Sequence, residues 1–430
     1  MLGEKILAHT ARIGVIGLGY VGLPLAILVG QRRFPVLGID LDKERVASLK
    51  AGKSYISDIA DGELNTLQCS RNFQISFDYS ELPACDVIVI CVPTPLVTAG
   101  KPDYSLLIKA VAGIAATLRP EQLVIVESTV APGTTAEIVL PLLESGGLRA
   151  GVDFYLAYSP ERIDPGNKNY SLSNTPKLVA GLTLTCQSLA SHLYQCLGLT
   201  VVPAPTLATA EMAKLLENTY RDINIAFINE MAQVCRRSGL NIWQVIEAAA
   251  TKPFGFQAFY PGPGVGGHCI PVDSVYYSFW ARTSGWPAEL AEHARRVNAH
   301  MPFYVATLVR DVLQNKEKTI KGSKILILGV TYKKDIEDVR ESPILELIHL
   351  LRDEGAIINF HDPAVESIGE EKTVINRSEL TEEVISNQDC VVFAVAHSSY
   401  QLAWLYGVSS LIVDLTNEFA EFPPDKIIRL

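Results

Sequence analysis

The chain predicts an α/β fold in which two doubly wound parallel-sheet domains are joined by a central helical domain with one long helix. Three observations lead there. Short apolar strands alternate with helical stretches through the N-terminal half. A long helical stretch without internal proline or glycine follows. A strand, glycine turn, helix and acid-ended strand then recur near the C-terminus. At 430 residues the chain is too long for one hydrophobic core, because domains of about 100–200 residues are the norm.

Residues 12–18, RIGVIGL, read as a short buried strand, and a helix runs from about Val21 to Gln31. Residues 35–40, PVLGID, form a second strand ending in Asp40, followed by a helix from about Lys43 to Ala51. DVIVICVP (86–93) and LVIVESTV (123–130) are continuous apolar strands, and 103–118 between them has helical spacing. Strands apolar on both faces and alternating with helices indicate a parallel sheet. FYLAYSPER (154–162) and KLVAGL (177–182) extend it. After Pro203 and Pro205 one helix runs from about Ala208 to Gly239, where glycine is placed to end it. A second helix covers about Ile242 to Ala250. The glycine- and proline-rich FYPGPGVGGHCIPVD (259–273) follows, and helices resume at about Ser274–Thr283 and Ala288–Gln314. Beyond the polar linker 316–322, the strands are KILILGV (324–330), IINFHDP (357–363), DCVVFAV (389–395) and SSLIVDL (409–415). KILILG…FHD repeats RIGVIG…GID in outline. It lacks the full glycine pattern, so no second dinucleotide is expected there. The predicted domains are 1–205, 206–315 and 316–430.

Hydrophobic residues at 48% and charged residues at 20% give an ordinary globular balance. A net charge of −10 argues against nucleic acid and anionic membrane as partners. The eight cysteines form no C-x-x-C pair, and a chain this size needs no disulfides, which fits a reducing compartment. The N-terminal apolar run feeds into a glycine motif rather than a cleavage site. No run approaches the roughly 18 apolar residues that span a bilayer. The expectation is a cytoplasmic protein.

Gly17-Leu18-Gly19-Tyr20-Val21-Gly22 is a G-x-G-x-x-G that follows a strand and opens a helix, and Asp40 ends the next strand. Gly17 permits the tight turn, Gly19 lets the backbone approach a pyrophosphate, and Gly22 lets helix pack on strand. The helix N-terminus favours phosphate. Asp40 would accept hydrogen bonds from ribose hydroxyls and repel a 2′-phosphate, so NAD is favoured over NADP. In isolation the glycine pattern is weak; with strand, helix and acid around it, it is strong.

In PGPGVGGHCIPVD, Gly262, Gly264, Gly266 and Gly267 free the backbone to present N–H groups to an anion. Cys269 follows at once, with Asp273 four residues on. A cysteine beside such groups suits a thiolate nucleophile. A zinc site on His268 and Cys269 is disfavoured, since adjacent residues rarely supply two ligands and no C-x-x-C or H-x-x-x-H accompanies them. A buried structural cysteine needs no glycines around it. NAD with a nucleophilic thiol implies two oxidations: alcohol to aldehyde, thiol addition to a thiohemiacetal, a second hydride loss to a thioester, then hydrolysis to a carboxylate.

GVIGLGYVGLP (14–24), CVPTP (91–95), ESTVAPGTT (127–135), YSPERIDPGN (158–167), EMAKLLENTYRDINIAFINE (211–230), PGPGVGGHCIPVD (261–273) and GVTYKKDIEDVRESP (329–343) together resemble the UDP-glucose/GDP-mannose dehydrogenase family over nearly the whole chain. The resemblance implies an N-terminal Rossmann domain for NAD, a helical dimerisation domain and a C-terminal Rossmann-like domain for the UDP-sugar, in a homodimer or higher homo-oligomer. It implies Cys269 as nucleophile, Lys214 and Asn218 on the oxygen at C6, Glu161 in thioester hydrolysis, and Thr129 and Asp273 on the water. Thr94, Thr129, Glu161, Arg340 and Arg45 match cofactor positions. Lys333, Arg162, Tyr260, Glu161, Lys214, Asn218 and the loop glycines match UDP-sugar positions. Read without the resemblance, Lys214 and Asn218 would be a solvated helix face, and Glu161–Arg162 and Asp338–Arg340 surface pairs. His268 before the cysteine and Val272 after it depart from the UDP-glucose branch and resemble the branch acting on UDP-N-acetylhexosamines, with the N-acetylglucosamine members preferred. UDP-N-acetylmannosamine, UDP-N-acetylgalactosamine and UDP-glucose remain alternatives. A single-step hydroxyacid dehydrogenase would not need Cys269, and a non-catalytic nucleotide-sugar sensor would have no reason to keep Cys269, Lys214, Asn218 and Asp273 together.

Overall fold

The structure, a computed structural model, describes residues 1–56, 59–69, 72–97, 100–163, 167, 169–369 and 374–430. The chain divides into two compact units, Met1–Glu217 with Val275–Trp286, and Asn218–Ser274 with Pro287–Leu430. Among the described residues no helix is long and apolar enough to cross a membrane.

The first unit is built on one eight-stranded sheet. Its strands are β1 (Ile13–Ile16), β2 (Val36–Ile39), β3 (Phe73–Ser76), β4 (Val87–Ile90), β5 (Leu123–Val126), β6 (Tyr155–Tyr158), β7 (Lys177–Gly181) and β8 (Val201–Pro203). Their order across the sheet is β8-β7-β6-β5-β4-β1-β2-β3. Every residue of β1, β2, β4 and β5 is buried. The reason is a layer of helices on each face. Val15 and Val87 pack with Leu23 and Leu25 of α1 (Gly22–Gln31) on one side. Ile16, Ile88 and Val124 pack with Leu107 and Val111 of α3 (Ser105–Ala115) on the other, α2 being Lys43–Lys50. Fully burying such a side chain is worth about 1.5–3 kcal/mol, so the unbroken apolar runs are the stabilising signal themselves.

Two neighbouring strands, β7 and β8, run against the other six. β6 and β7 are antiparallel, with Ala157 opposite Gly181, whereas β7 and β8 are parallel. The cause is the connections. Parallel neighbours need a crossover, usually a helix. Helix α4 (Leu184–Cys196) supplies one between β7 and β8, while the described residues between β6 and β7 contain none.

The second unit contains most of α5 (Leu207–Arg237), together with α6 (Ile242–Ala250), the glycine-rich loop and α8 (Glu289–Gln314). Helix α7 spans Ile270–Thr283 and so starts four residues before the predicted Ser274. Pro271 reads as a helix breaker in sequence. It lies in the first turn, where its missing N–H forfeits no hydrogen bond. The Cys269 carbonyl accepts from the Asp273 N–H at 2.9 Å, so the cysteine caps this helix.

The unit ends in a five-stranded parallel sheet of order β10-β9-β11-β12-β13. These are β9 (Lys324–Leu328), β10 (Ile357–His361), β11 (Cys390–Phe393), β12 (Ile412–Asp414) and β13 (Ile427–Arg429), with α9 (Pro343–Asp353) packed on it. The internal repeat reaches individual hydrogen bonds. Asp40 Oδ2 accepts the Leu18 N–H at 2.9 Å, and Asp362 Oδ2 accepts the Val330 N–H at 2.8 Å.

Candidate functional site

In the first unit the turn between β1 and α1 has the shape a dinucleotide needs. Gly17 has φ +87°, and a Cβ there would meet the Cys91 carbonyl oxygen at 2.8 Å. A Cβ on Gly22 would lie 1.8 Å from the Gly17 carbonyl oxygen. Gly19 has nothing within 4 Å of that position, which leaves room for a pyrophosphate at the start of α1. Leu18 is buried beneath the turn, Tyr20 is exposed and Val21 is half-buried. Asp40 accepts from the N–H groups of Leu18 and Asp42, each at 2.9 Å. A carboxylate has about four lone-pair sites, so two backbone donors leave acceptors for ribose hydroxyls. Arg45 lies 3.9 Å from Asp40 and stacks over the Tyr55 ring at 5.5 Å.

The strand ends beside this turn carry the other predicted positions. Thr94 Oγ1 donates to the Thr129 carbonyl at 2.7 Å, bringing these two together, and Tyr276 Oη donates to the Thr94 carbonyl at 2.9 Å. Glu161 is no surface partner of the Arg162 side chain. Its Oε1 accepts the N–H groups of Arg162 and Ile163, at 2.7 and 2.8 Å, and its Oε2 accepts from Lys177 Nζ at 2.9 Å. The Arg162 guanidinium instead pairs with Glu217 at 2.6 Å. Lys177 also lies 3.0 Å from Glu127, whose other oxygen accepts the Tyr194 hydroxyl. Burial alone would raise the Glu161 carboxyl, but the Lys177 charge and the three N–H donors outweigh it and hold it below the ordinary range. Glu127 goes the other way, pushed up by burial and by the Glu161 charge despite Lys177. Sequence reasoning missed Glu127, Lys177 and Tyr194. The available signals were a charge inside the quoted ESTVAPGTT and another opening the apolar KLVAGL.

In the second unit Cys269 is the exposed one among the described cysteines; five others are buried and Cys196 is half-buried. It caps a 14-residue helix, where the dipole and unsatisfied N–H groups favour an anion. Asp273, in the first turn of α7 and 2% exposed, accepts from Asn218 Nδ2 at 2.5 Å. Two predicted residues far apart in sequence are thus joined. Lys214, on the part of α5 that belongs to the first unit, is buried.

The glycine loop packs on the turn after β9. A Cβ on Gly267, with φ +80°, would lie 2.8 Å from the Tyr332 ring, and one on Gly266 would lie 2.6 Å from the Glu341 carbonyl oxygen. Close approach, not only freedom to present N–H groups, therefore requires glycine here. Gly264 likewise abuts Pro343, whereas Gly262 faces open space and donates its N–H to Asn229 at 2.9 Å. Asn229 in turn bonds Asn298, which bonds Asp222, and Asp222 pairs with Arg295. This buried polar chain ties the loop to α5 and α8. Tyr260 is exposed and stacked on Trp243. Lys333 is half-buried, its carbonyl accepting from Thr331 Oγ1 at 2.9 Å. Arg340 pairs with Asp338 at 2.6 and 2.8 Å, the contact given by the reading without the resemblance, and this pair says nothing of a cofactor role. Residues 164–166 and 168 of the YSPERIDPGN region and its flank lie outside the described residues.

A Rossmann turn with an acid closing the next strand defines a dinucleotide-binding protein. The comparisons narrow the class. Models of the UDP-glucose/GDP-mannose dehydrogenase family match in three segments: its NAD-binding domain over residues 11–198, its central domain over 208–300 and its UDP-binding domain over 326–420. The UDP-N-acetyl-D-glucosamine 6-dehydrogenase of Pseudomonas aeruginosa is 34% identical over 395 residues, covering 91% of each chain. The UDP-N-acetyl-D-mannosamine dehydrogenase of Pyrococcus horikoshii is 33% identical over 424 residues, covering 97% of this chain and 98% of that one. The solved structure of the UDP-D-ManNAc dehydrogenase from Pyrococcus horikoshii superposes with a TM-score of 0.87 at 32% identity, over 97% of this chain and 98% of that one. The chain belongs to the UDP-glucose/GDP-mannose dehydrogenase family. It is an NAD-dependent oxidoreductase acting on a UDP-sugar.

Proposed function

We propose that the chain oxidises the C6 hydroxyl of a UDP-N-acetylhexosamine, UDP-N-acetylglucosamine before its epimers, to the uronic acid, in the cytoplasm and as a precursor for surface polysaccharide. NAD, held by the Gly17–Gly22 turn and Asp40, would supply the hydride acceptor, one molecule for each of the two oxidations. Lys214 and Asn218 hold the oxygen at C6 as its charge develops. The Cys269 sulfur adds to the aldehyde carbon to give a thiohemiacetal, and loss of the second hydride leaves a thioester. Water positioned by Thr129 and Asp273, with Glu161 assisting, cleaves the C–S bond, releasing the carboxylate and the thiol. Gly17 to Gly22, Asp40, Arg45, Thr94, Thr129, Glu161 and Arg340 serve the cofactor. Arg162, Tyr260, Lys333 and Gly262 to Gly267 serve the UDP-sugar. On this reading residues 1–205 bind NAD, 206–315 carry the nucleophile and the dimer contact, and 316–430 hold the nucleotide. Exposed Tyr220, Phe227 and Val234, spaced at sevens on α5, support a dimer through that helix.

The observation that carries the reading is the exposed Cys269 at the start of α7, with Asp273 one turn on and joined to Asn218. The relatives' names support a UDP-N-acetylhexosamine, and both epimers occur among them. The test is NADH release with UDP-glucose and the three UDP-N-acetylhexosamines. UDP-N-acetylglucosamine should give the highest kcat/KM and two NADH per sugar. One NADH per sugar would exclude the thioester route, and a preference for the manno form would overturn the choice of epimer.

A further inference from the structure

A lysine that opens the strand next to the sheet edge at 3% exposure is costly unless its charge is matched. Lys177 is matched twice. Its ammonium lies between Glu161 Oε2 at 2.9 Å and Glu127 Oε2 at 3.0 Å, over the Tyr194 ring at 5.3 Å. Two carboxylates share one cation, so the group carries one surplus negative charge when both are ionised. The surroundings distribute that charge unequally. The Glu127 side chain is fully buried and capped by the Tyr194 hydroxyl, while the Glu161 side chain keeps 14% exposure and gains two backbone N–H donors. The other titratable groups facing the cluster are few. Cys91 after β4 is buried, with its thiol pushed well above the ordinary range by burial first and then by Glu127. Arg162 and Glu217 of α5 neutralise one another on the solvent side.

We infer that Lys177 is a positioning residue that keeps Glu161 ionised and aimed for the thioester step, and that Glu127 is the counter-carboxylate limiting how strongly Lys177 does so. The inference rests on the reading of Glu161 given above. The two partners act on Glu161 with opposite sign. Without the Lys177 cation, burial and Glu127 raise the Glu161 proton affinity. Without the Glu127 charge, the whole Lys177 attraction falls on Glu161 and lowers it. A simple structural brace would produce no such opposition.

The experiment is the pH dependence of kcat for NADH formation in Lys177→Met, Lys177→Arg, Glu127→Gln and Glu161→Gln, with mass spectrometry of the sugar adduct on Cys269. Lys177→Met is expected to lower kcat at neutral pH by about tenfold or more, to accumulate adduct and to move the acidic limb up by about one pH unit. Lys177→Arg should restore most of the rate, and Glu127→Gln should move the acidic limb down. Shifts of the same sign, or none, would reduce Lys177 and Glu127 to packing. If Lys177→Met does not fold, judged by melting and NAD binding, the direction of the Glu127→Gln shift decides alone. Glu161→Gln separates the two levels. An impaired Glu161→Gln beside an unimpaired Lys177→Met removes only the positioning role. A Glu161→Gln enzyme that turns over normally without adduct removes the reading of Glu161, and this inference with it.

Discussion

The roles proposed for Asn218 and Asp273 tie the hydrogen bond between them to a rate that can be measured. The donor–acceptor distance is 2.5 Å, and the accepting carboxylate is 2% exposed. Asn218→Ala removes this donor from a buried charge while the first turn of α7 still holds Asp273 in place. A hydrogen bond to a charged group contributes about 1.5–3 kcal/mol, which is about 10- to 150-fold if realised only in the transition state. Because the helix still fixes Asp273, this bond contributes at the lower end, and with the donor to the C6 oxygen lost as well the fall in kcat for steady-state NADH formation is at least about tenfold, with little change in KM for NAD. Asn218→Asp should be worse, since it sets a second carboxylate where the donor stood. An Asn218→Ala enzyme within about twofold of the parent kcat would refute this reasoning, as would Asn218→Asp matching Asn218→Ala.

Cys269→Ala is expected to abolish uronic acid formation while NAD still binds; acid production by this variant, measured by chromatography, would discard the covalent step. Asp40→Ala should weaken NAD by about 10- to 100-fold in Kd, the loss of hydrogen bonds to a charged acceptor, and unchanged affinity by calorimetry would take Asp40 out of the ribose site. Burial would raise the Asp362 carboxyl, but the His397 hydrogen bond and the N–H groups of Val330 and Ala364 outweigh it and hold it low. A depressed folded value means stability that is present above the ordinary aspartate range near pH 4 and is lost as pH falls through the folded value. The gap in urea midpoint between the parent and Asp362→Asn should therefore be constant above about pH 5 and close below about pH 4; a gap indifferent to pH would contradict it.

What the sequence discloses about this molecule follows how local the signal is. β1, β2, β4 and β5 are legible because they are buried on both faces, so each is an unbroken apolar run. Helix α5 is legible because nothing within it breaks helical periodicity before Gly239. The direction of β7 is not legible, because it depends on a connection with no periodic pattern. The start of α7 is concealed by Pro271, whose meaning depends on whether it stands in a first turn or an interior. Among site residues, motif and spacing mark Gly17, Asp40, Cys269 and Asp273. They do not mark Lys177 as the partner of Glu161, nor Tyr332 as the ring that excludes side chains at Gly267. Sequence displays a residue's type, and burial and partner set its chemistry.

The two halves of the repeat show how much rests on the partner. Asp40 and Asp362 each end the second strand of a Rossmann-like unit, and each accepts an N–H from the turn after the first strand. By local pattern they are the same residue. Asp40 has Arg45 at 3.9 Å and is 9% exposed. Asp362 has His397 Nε2 at 3.0 Å and is fully buried. The same imidazole accepts the Asp335 N–H at 3.0 Å through Nδ1 and lies 3.1 Å from Thr331 Oγ1, so it braces the turn that carries Lys333. One histidine beyond β11 thus commits the second acid to holding a loop, where the first, on the proposed reading, serves a ribose.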